Sequence, residues 1–127
     1  MSVIKIVKKT KDTLLSMLHE AFVGHMLTIE QIPDGGFSII VNNLDIGFKI
    51  HGDSGTITVV IDHFDTYIPL IYVTNNHFDT MISDTMTDDN LKKYINFAID
   101  FAKIRRNVLS PIRRYELEEI IYNLDID

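Results

Sequence analysis

The stretch TITVVIDHFDTYIPLIYVTNNHFDT, residues 56–80, decides the fold, because it contains two of the most apolar runs in the chain. Each run is followed by the same four residues, His-Phe-Asp-Thr, at 63–66 and again at 77–80. Apolar runs of this length, bounded by Asp, Asn and Thr, are typical of strands separated by turns. We therefore expect one core strand at 56–62 and a second at 67–74.

Upstream of this stretch, apolar and polar residues alternate from His25 onward, as in half-buried strands. Turn signals rich in Gly, Asp and Asn interrupt the alternation at 33–36, 42–43 and 52–55. Connections this short allow only antiparallel neighbours, because a parallel crossover needs about a dozen residues. The predicted sheet is an antiparallel meander whose five strands lie near 26–32, 37–42, 45–51, 56–62 and 67–74.

Helical periodicity lies on both sides of the predicted sheet. Residues 11–23 place apolar side chains three and four positions apart, and the spacing of the apolar residues before them favours a longer helix. Thr87 is a good N-cap for a second helix that carries an apolar stripe as far as Val108. Ser110-Pro111 begins a third helix near 111–123.

The expected fold class is therefore α+β, in a single domain covering residues 1–127. An N-terminal helix comes first, the five-stranded meander follows, and two C-terminal helices pack on the sheet to give two layers. Pro69 places the fifth strand at an edge of the sheet, because proline cannot donate to a ladder of strand hydrogen bonds. The second apolar face of strand 67–74 would then lie against a helix or against a second copy of the chain, as in a homodimer.

The composition limits the chemistry and the compartment. The chain of 127 residues has no cysteine, so disulfides, thiolate metal sites and cysteine nucleophiles are excluded. Its first residues do not have the pattern of a signal peptide, and no run approaches the ~18–20 apolar residues of a membrane helix. We expect a soluble cytoplasmic protein. Abundant Ile, with many Asn and Lys, suggests a bacterial or phage source.

Charge is distributed unevenly along the chain. The net charge is −6, and the segment 62–90 has no Lys or Arg. Such a segment repels nucleic acid phosphates and favours a basic partner. The predicted partner contacts are its six aspartates, Asp62, Asp65, Asp79, Asp84, Asp88 and Asp89.

The repeated tetrapeptide supports a second hypothesis, in which the chain is a metal-dependent or small-ligand enzyme. His63, Asp65, His77 and Asp79 are residue types that bind Zn, Fe or Mn. However, the two copies flank strand 67–74 and should lie ~20 Å apart, at ~3.3 Å per residue. The structural alternative is that Asp-Thr forms turns and that Phe64 and Phe78 close the ends of the core.

A basic cluster surrounds the predicted corner between the last two helices. It comprises Lys103, Arg105, Arg106, Arg113 and Arg114. These residues would either bind phosphate or stabilise helix C-termini and pair with Glu116, Glu118 and Glu119. We favour the second interpretation, because the rest of the chain is acidic.

The leading functional hypothesis is a small, acidic, non-enzymatic protein-binding module. The chain has no P-loop, dinucleotide fingerprint or nucleophile elbow, and its five histidines show no dependable metal spacing. An inhibitor, an immunity-type protein or a phage-encoded host-interaction protein would fit this description, with no cofactor. The alternatives are the enzyme above and a self-associating, chaperone-like or structural subunit.

Overall fold

The computed structural model describes residues 3–70, 82, 86–106, 115 and 118–120. Helix α1 spans Val3–Ala21, and helix α2 spans Asp88–Arg105. Between them lie β1 (Leu27–Gln31), β2 (Phe37–Val41), β3 (Ile46–Ile50), β4 (Ile57–Ile61) and β5 (Phe64–Ile68). Residues 115 and 118–120 are also helical, within the range predicted for the last helix. The fold class is α+β, as predicted.

The five strands form one antiparallel sheet in the order β1-β2-β3-β4-β5, which confirms the meander. The register is regular: Val41 pairs with Ile46, and Ile61 pairs with both Ile46 and Phe64. Each strand therefore presents alternate residues to the same face of the sheet. We call the helix-covered face the inner face and the opposite one the outer face.

The fifth strand does not lie where the sequence predicts it. It covers Phe64–Ile68, so it starts three residues earlier than the predicted 67–74, and residues 71–74 lie outside the described part. The reason is that the connection from β4 consists of two residues only, Asp62 and His63. The first His-Phe-Asp-Thr copy is thus one turn residue followed by three strand residues, and not a turn.

Helix α1 begins at Val3, which confirms that the apolar spacing before residue 11 belongs to the helix. The buried side chains of α1 include Val7, Leu14 and Leu18, spaced at three to four residues or multiples of that spacing. Among the described helices, none is long and apolar enough to span a membrane.

The core lies between the inner face of the sheet and the two helices. Its central residues include Phe48 of β3 and Phe97 of α2, both of which are almost completely buried. The helices run side by side in the same direction, since Lys9 Nζ lies 2.7 Å from Asp88 Oδ1 and Lys103 Nζ lies 5.3 Å from the Phe22 ring centroid.

A tyrosine hydroxyl joins the helical layer to the sheet. The Oη of Tyr94 accepts a hydrogen bond from Ile57 N at 2.8 Å and donates one to Ile68 O at 2.7 Å. Ile57 and Ile68 are opposite each other in the β4–β5 ladder, so the hydroxyl is inserted between the two strands. Burial of the Tyr94 hydroxyl raises its pKa above the ordinary value, so it stays protonated and donates.

At one end of the sheet, the turns at 32–36 and 51–56 pack against each other; we call this the packed end. Asp34 connects them, because its carboxylate accepts from Gly36 N at 2.8 Å and from Gly52 N at 3.1 Å. A Cβ on Gly52 would meet the carbonyl oxygen of Asp34 and, at 2.7 Å, the nitrogen of Gly36. Only glycine fits this close backbone contact.

Candidate functional site

The opposite end of the sheet holds the turns at 42–45 and 62–63; we call it the exposed end. Asp62 and His63 both have positive φ, at 50° and 71°, and connect β4 directly to β5. Two positive φ values in a two-residue loop are the signature of a type I′ hairpin turn, which usually contains glycine. Here both positions keep a side chain. Asp is tolerated at the first position of such a turn, whereas the left-handed conformation of His63 costs roughly 1–2 kcal/mol.

Phe64 follows this turn and is 79% exposed. The sequence-based prediction that it closes the end of the core is therefore wrong. Its partner in the ladder, Ile61, is half-buried on the same face of the sheet. Phe64 is exposed because it stands on the edge strand at the very end of the sheet. Aromatic side chains, Phe among them, are enriched at protein interfaces relative to the rest of the surface.

A groove lies on the outer face beside this turn, with a volume of about 360 Å³. Gly47, the second residue of β3, forms part of its floor, and Ile40 and Val60 flank Gly47 on the neighbouring strands. A Cβ on Gly47 would come no closer than 3.7 Å to any neighbour, so neither crowding nor backbone conformation requires glycine there. Glycine inside a strand often marks a place where another molecule approaches closely.

Carboxylates stand at the rim of this Gly47 groove. Asp45 and Asp62 both line it, together with His63, and the described lining residues include no Lys or Arg. Asp45 also has a positive φ, of 52°. Three of the four non-glycine residues with positive φ in the described chain therefore line one groove. The combination of an apolar floor and an acidic rim fits an aliphatic chain that ends in a positive charge.

A second groove of about 470 Å³ runs along β5 on the side of the helices. Phe64 and Thr66 of β5 line it, and Phe101 and Arg105 of α2 form the other side. The Arg105 guanidinium carbon lies 5.4 Å from the Phe101 ring centroid. Asp62 and Asp65 line this groove as well, so the tip of the β4–β5 hairpin separates two grooves.

The aspartates of the hairpin are paired with basic residues from other parts of the chain. Asp62 Oδ1 lies 3.8 Å from Arg106 Nη1, and Asp65 Oδ2 lies 3.5 Å from Lys49 Nζ. Both carboxylates remain more than half exposed, and such surface pairs contribute only about 0–1 kcal/mol. The absence of Lys and Arg from 62–90 in the sequence therefore does not mean that these aspartates are without basic neighbours in space.

Asp88 and Asp89 lie far from the hairpin, in the first turn of α2. Thr87 caps this helix, since its Oγ1 accepts from Asn90 N at 3.2 Å. A hydrogen bond and the charge of Lys9 lower the pKa of Asp88. Asp88 and Asp89 lie at the start of α2, whereas Asp62 contacts Arg106 at its end. The length of the helix, about 25 Å at 1.5 Å per residue, separates them. The four described members of the predicted contact set therefore form two groups, and the other two, Asp79 and Asp84, lie outside the described residues.

The proposed metal ligands can be located only in part. His63 and Asp65 are both exposed and lie on and just after the hairpin turn, whereas His77 and Asp79 lie outside the described residues. Among the residues that the structure describes, no group of three or more His, Asp or Glu is placed to hold a metal ion. The metal hypothesis stays a prediction that no described geometry favours.

The basic cluster is divided among separate contacts at the end of α2. Lys103 lies over Phe22, Arg105 lies over Phe101, and Arg106 faces Asp62. The other two members, Arg113 and Arg114, are not among the described residues. The three described cations therefore have different neighbours, which agrees with a role at the helix terminus.

A third group of polar side chains lies on the outer face of the packed end. His51 Nε2 is 2.7 Å from Thr58 Oγ1, and His51 Nδ1 is 3.9 Å from Asp34 Oδ2. A hydroxyl beside an imidazole that is beside a carboxylate resembles the arrangement that activates a nucleophile in hydrolytic enzymes. However, the 3.9 Å between His51 Nδ1 and Asp34 Oδ2 is too long for a hydrogen bond. Thr58 is also buried, and both Asp34 oxygens already accept backbone N–H groups. This group holds the two turns together.

Comparison with protein-family models, with curated proteins and with solved structures gives no significant match for this chain.

The sequence predicts Asp62 and Asp65 as partner contacts, gives no role to Asp45 or Gly47, and places Phe64 at the end of the core. A signal for Gly47 was present, since it is a glycine inside a cleanly alternating strand. The exposure of Phe64 had no such signal, because it depends on a connection of only two residues between β4 and β5.

Proposed function

We propose that this chain is a non-enzymatic protein-binding module that engages a basic partner through the exposed end of its sheet. The observation that carries the proposal is the β4–β5 hairpin tip, where exposed Phe64 stands between Asp62 and Asp65 with a groove on each side. Aromatic anchors surrounded by polar groups dominate the energetics of many protein interfaces. A role as an inhibitor, an immunity-type protein or a phage-encoded host-interaction protein in the cytoplasm is consistent with such a surface.

Side chains held in unfavourable conformations support the same assignment. Asp45, Asp62 and His63 have positive φ values, and of the three it is His63 whose side chain glycine would replace at clearly lower cost. Such strain is concentrated at functional sites, where particular side chains are needed. Two of these three residues are acidic, so the partner surface that complements them is basic.

The test uses a library of random twelve-residue peptides, selected for binding to the immobilised wild-type protein. We expect the enriched peptides to carry an excess of Lys and Arg and to bind more weakly as salt is increased, since the contacts are ionic. The affinity of one enriched peptide is then measured by fluorescence anisotropy for wild type and two double variants. These are Asp62→Asn/Asp65→Asn and the matched control Asp88→Asn/Asp89→Asn, which removes the same charge at the other end of α2.

The hairpin variant should bind about tenfold more weakly, equivalent to ~1.4 kcal/mol, while the control retains the wild-type affinity. Asparagine tolerates the positive φ of residue 62, so the hairpin itself is preserved. Enrichment of acidic peptides, or equal affinity of the hairpin variant and wild type, would contradict the proposal. A loss of affinity confined to the Asp88→Asn/Asp89→Asn variant would contradict the proposal and indicate that the peptide binds at the start of α2.

A further inference from the structure

The edge of β5 presents backbone groups that are free to pair. The Tyr94 hydroxyl bonds Ile57 N and Ile68 O, which point toward each other between β4 and β5. The carbonyl of Ile68 is therefore directed toward β4. Because strand residues alternate, Phe64 and Thr66 face β4 in the same way, and the N–H and C=O groups of Asp65 and Tyr67 point away from it. Within the described residues, no strand lies beyond β5 and no partner is recorded for these outward groups.

Strand β5 has only part of the usual protection of a sheet edge: it is short and carries the charged Asp65. Proteins also block edge strands with lysine, proline or a bulge. Strand β5 has none of these over Phe64–Ile68, and its pairing with β4 is continuous over all five residues. Pro69 follows the strand directly, so the available edge ends there.

The two sides of this edge differ in chemistry. Along the helix side runs the groove of about 470 Å³ lined by Phe64, Thr66 and Phe101. On the outer side, the exposed carboxylate of Asp65 stands next to the half-exposed ring of Tyr67. A strand added at this edge would place alternate side chains on these two sides.

We propose that an extended, basic segment of the partner adds to β5 as a sixth strand. Its apolar residues enter the helix-side groove and pack against exposed Phe64, and its Lys or Arg residues lie beside Asp65 and Tyr67, where cation–π contact adds to the ion pair. Main-chain hydrogen bonds to Asp65 and Tyr67 supply affinity. The alternation of apolar and basic side chains along the added strand supplies specificity. This inference rests on the proposed function and names the class of partner.

A second copy of the chain is a poorer occupant of this edge than a basic segment. Each copy has a net charge of −6, so two copies repel each other, most strongly at low salt. Homodimerisation through β5 is therefore treated as an outcome of the test.

The test uses a synthetic heptapeptide, acetyl-Lys-Val-Lys-Val-Lys-Val-Lys-amide, and a pair of variants at one position. Tyr67→Pro removes the outward N–H group without removing a bond to β4, and proline is tolerated in edge strands. Tyr67→Val removes the same ring and keeps the N–H group. We expect the proline variant to bind the heptapeptide at least tenfold more weakly than the valine variant, and equal affinities would overturn strand addition.

Hydrogen exchange on the wild-type protein provides a measurement that does not depend on folding of the proline variant. With saturating heptapeptide, the amides of Asp65 and Tyr67 should exchange at least tenfold more slowly, because they become bonded. The amide of Thr66, which already faces β4, is the internal control and should change much less. Unchanged exchange at Asp65 and Tyr67 in the bound state would overturn the proposal.

The two proposals fail in distinguishable ways. Binding that depends on Asp62 and Asp65 but gives no protection of the β5 amides removes strand addition and leaves the proposed function intact. Failure of both the heptapeptide and the library to bind contradicts the proposed function itself. A dimer in sedimentation that the heptapeptide does not dissociate, and that Tyr67→Pro abolishes, would show that a second copy occupies the edge.

Discussion

The two ends of the sheet place different residue types at positive φ. At the packed end, positive φ falls on Gly35 and Gly55, at 90° and 76°, and the carboxylate of Asp34 bonds both turns. At the exposed end, Asp62 and His63 hold positive φ values without glycine. The packed end is organised for stability, whereas the exposed end retains side chains at a cost in stability. That contrast suggests that the side chains of the exposed end serve a partner.

The largest effect should come from Tyr94→Phe, close to the packed end. The variant leaves Ile57 N and Ile68 O without the hydroxyl that now bonds both, and each buried unpaired group costs about 1–3 kcal/mol. We expect the free energy of unfolding in urea to fall by roughly 2–4 kcal/mol. Tyr67→Phe, at a half-exposed ring, is the control and should change it by less than about 0.5 kcal/mol. A loss below that level for Tyr94→Phe would show that the bridge is not needed.

Two glycine substitutions compare the packed end with the Gly47 groove directly. Gly52→Ala places a Cβ against the backbone of Asp34 and Gly36, so we expect a loss of about 2–3 kcal/mol in urea unfolding. Gly47→Ala finds ordinary van der Waals distances and should be neutral or stabilise by about 0.5–1 kcal/mol. Equal losses for both variants would mean that the close contact at the packed end is not a constraint.

At the exposed end, His63→Gly should increase stability. Glycine adopts a φ of 71° without the penalty that a side chain incurs, and a type I′ turn favours glycine at this second position. We expect a gain of about 1 kcal/mol in the free energy of unfolding. Gly47→Ala provides a control for glycine and alanine effects elsewhere in the sheet. A decrease in stability would indicate that the His63 side chain contributes contacts of its own.

The smallest effect concerns pH and the packed end. Hydrogen bonds from Gly36 N and then Gly52 N lower the pKa of Asp34 below its ordinary value of 3.8. A lowered pKa in the folded state means that this stabilisation is complete above the unfolded value and is lost as pH falls through the folded one. Wild type should exceed Asp34→Asn in stability by roughly 0.5–1 kcal/mol at pH 6, and this advantage should shrink as pH falls below the ordinary carboxyl range. An advantage that does not change with pH in acid would contradict this origin.

The sequence predicted most of the fold because the alternation of apolar residues and the Gly- and Asp-rich turns specify the antiparallel meander. It misplaced β5 because Asp-His is an unusual two-residue turn, so the loop was extended to include Phe64 and its neighbours. The role of Tyr94 was not predictable either. Its hydroxyl bonds residues 37 and 26 positions away, and only tertiary packing brings them together.

The sequence indicated which kind of residue the candidate site would contain, namely aspartates, but not where these aspartates lie on the surface. Asp62 and Asp65 were predicted as contacts from a stretch without Lys or Arg, yet Arg106 and Lys49 stand next to them in space. Asp88 belongs to the same stretch but pairs with Lys9 at the far end of α2. Charge along the sequence does not give charge on a surface, because strands and helices bring distant residues together.

Binding of a partner at the exposed end is tested most directly by mapping the binding surface with NMR. Uniformly ¹⁵N-labelled protein is titrated with a peptide selected from the random library, and amide shifts are followed residue by residue. We predict that the largest changes fall on 45–47 and 61–67 at the exposed end, and that Phe64→Ala weakens binding while leaving the free energy of unfolding within about 0.5 kcal/mol. Changes centred on the packed-end turns at 32–36 and 51–56, or undiminished binding by Phe64→Ala, would contradict the account.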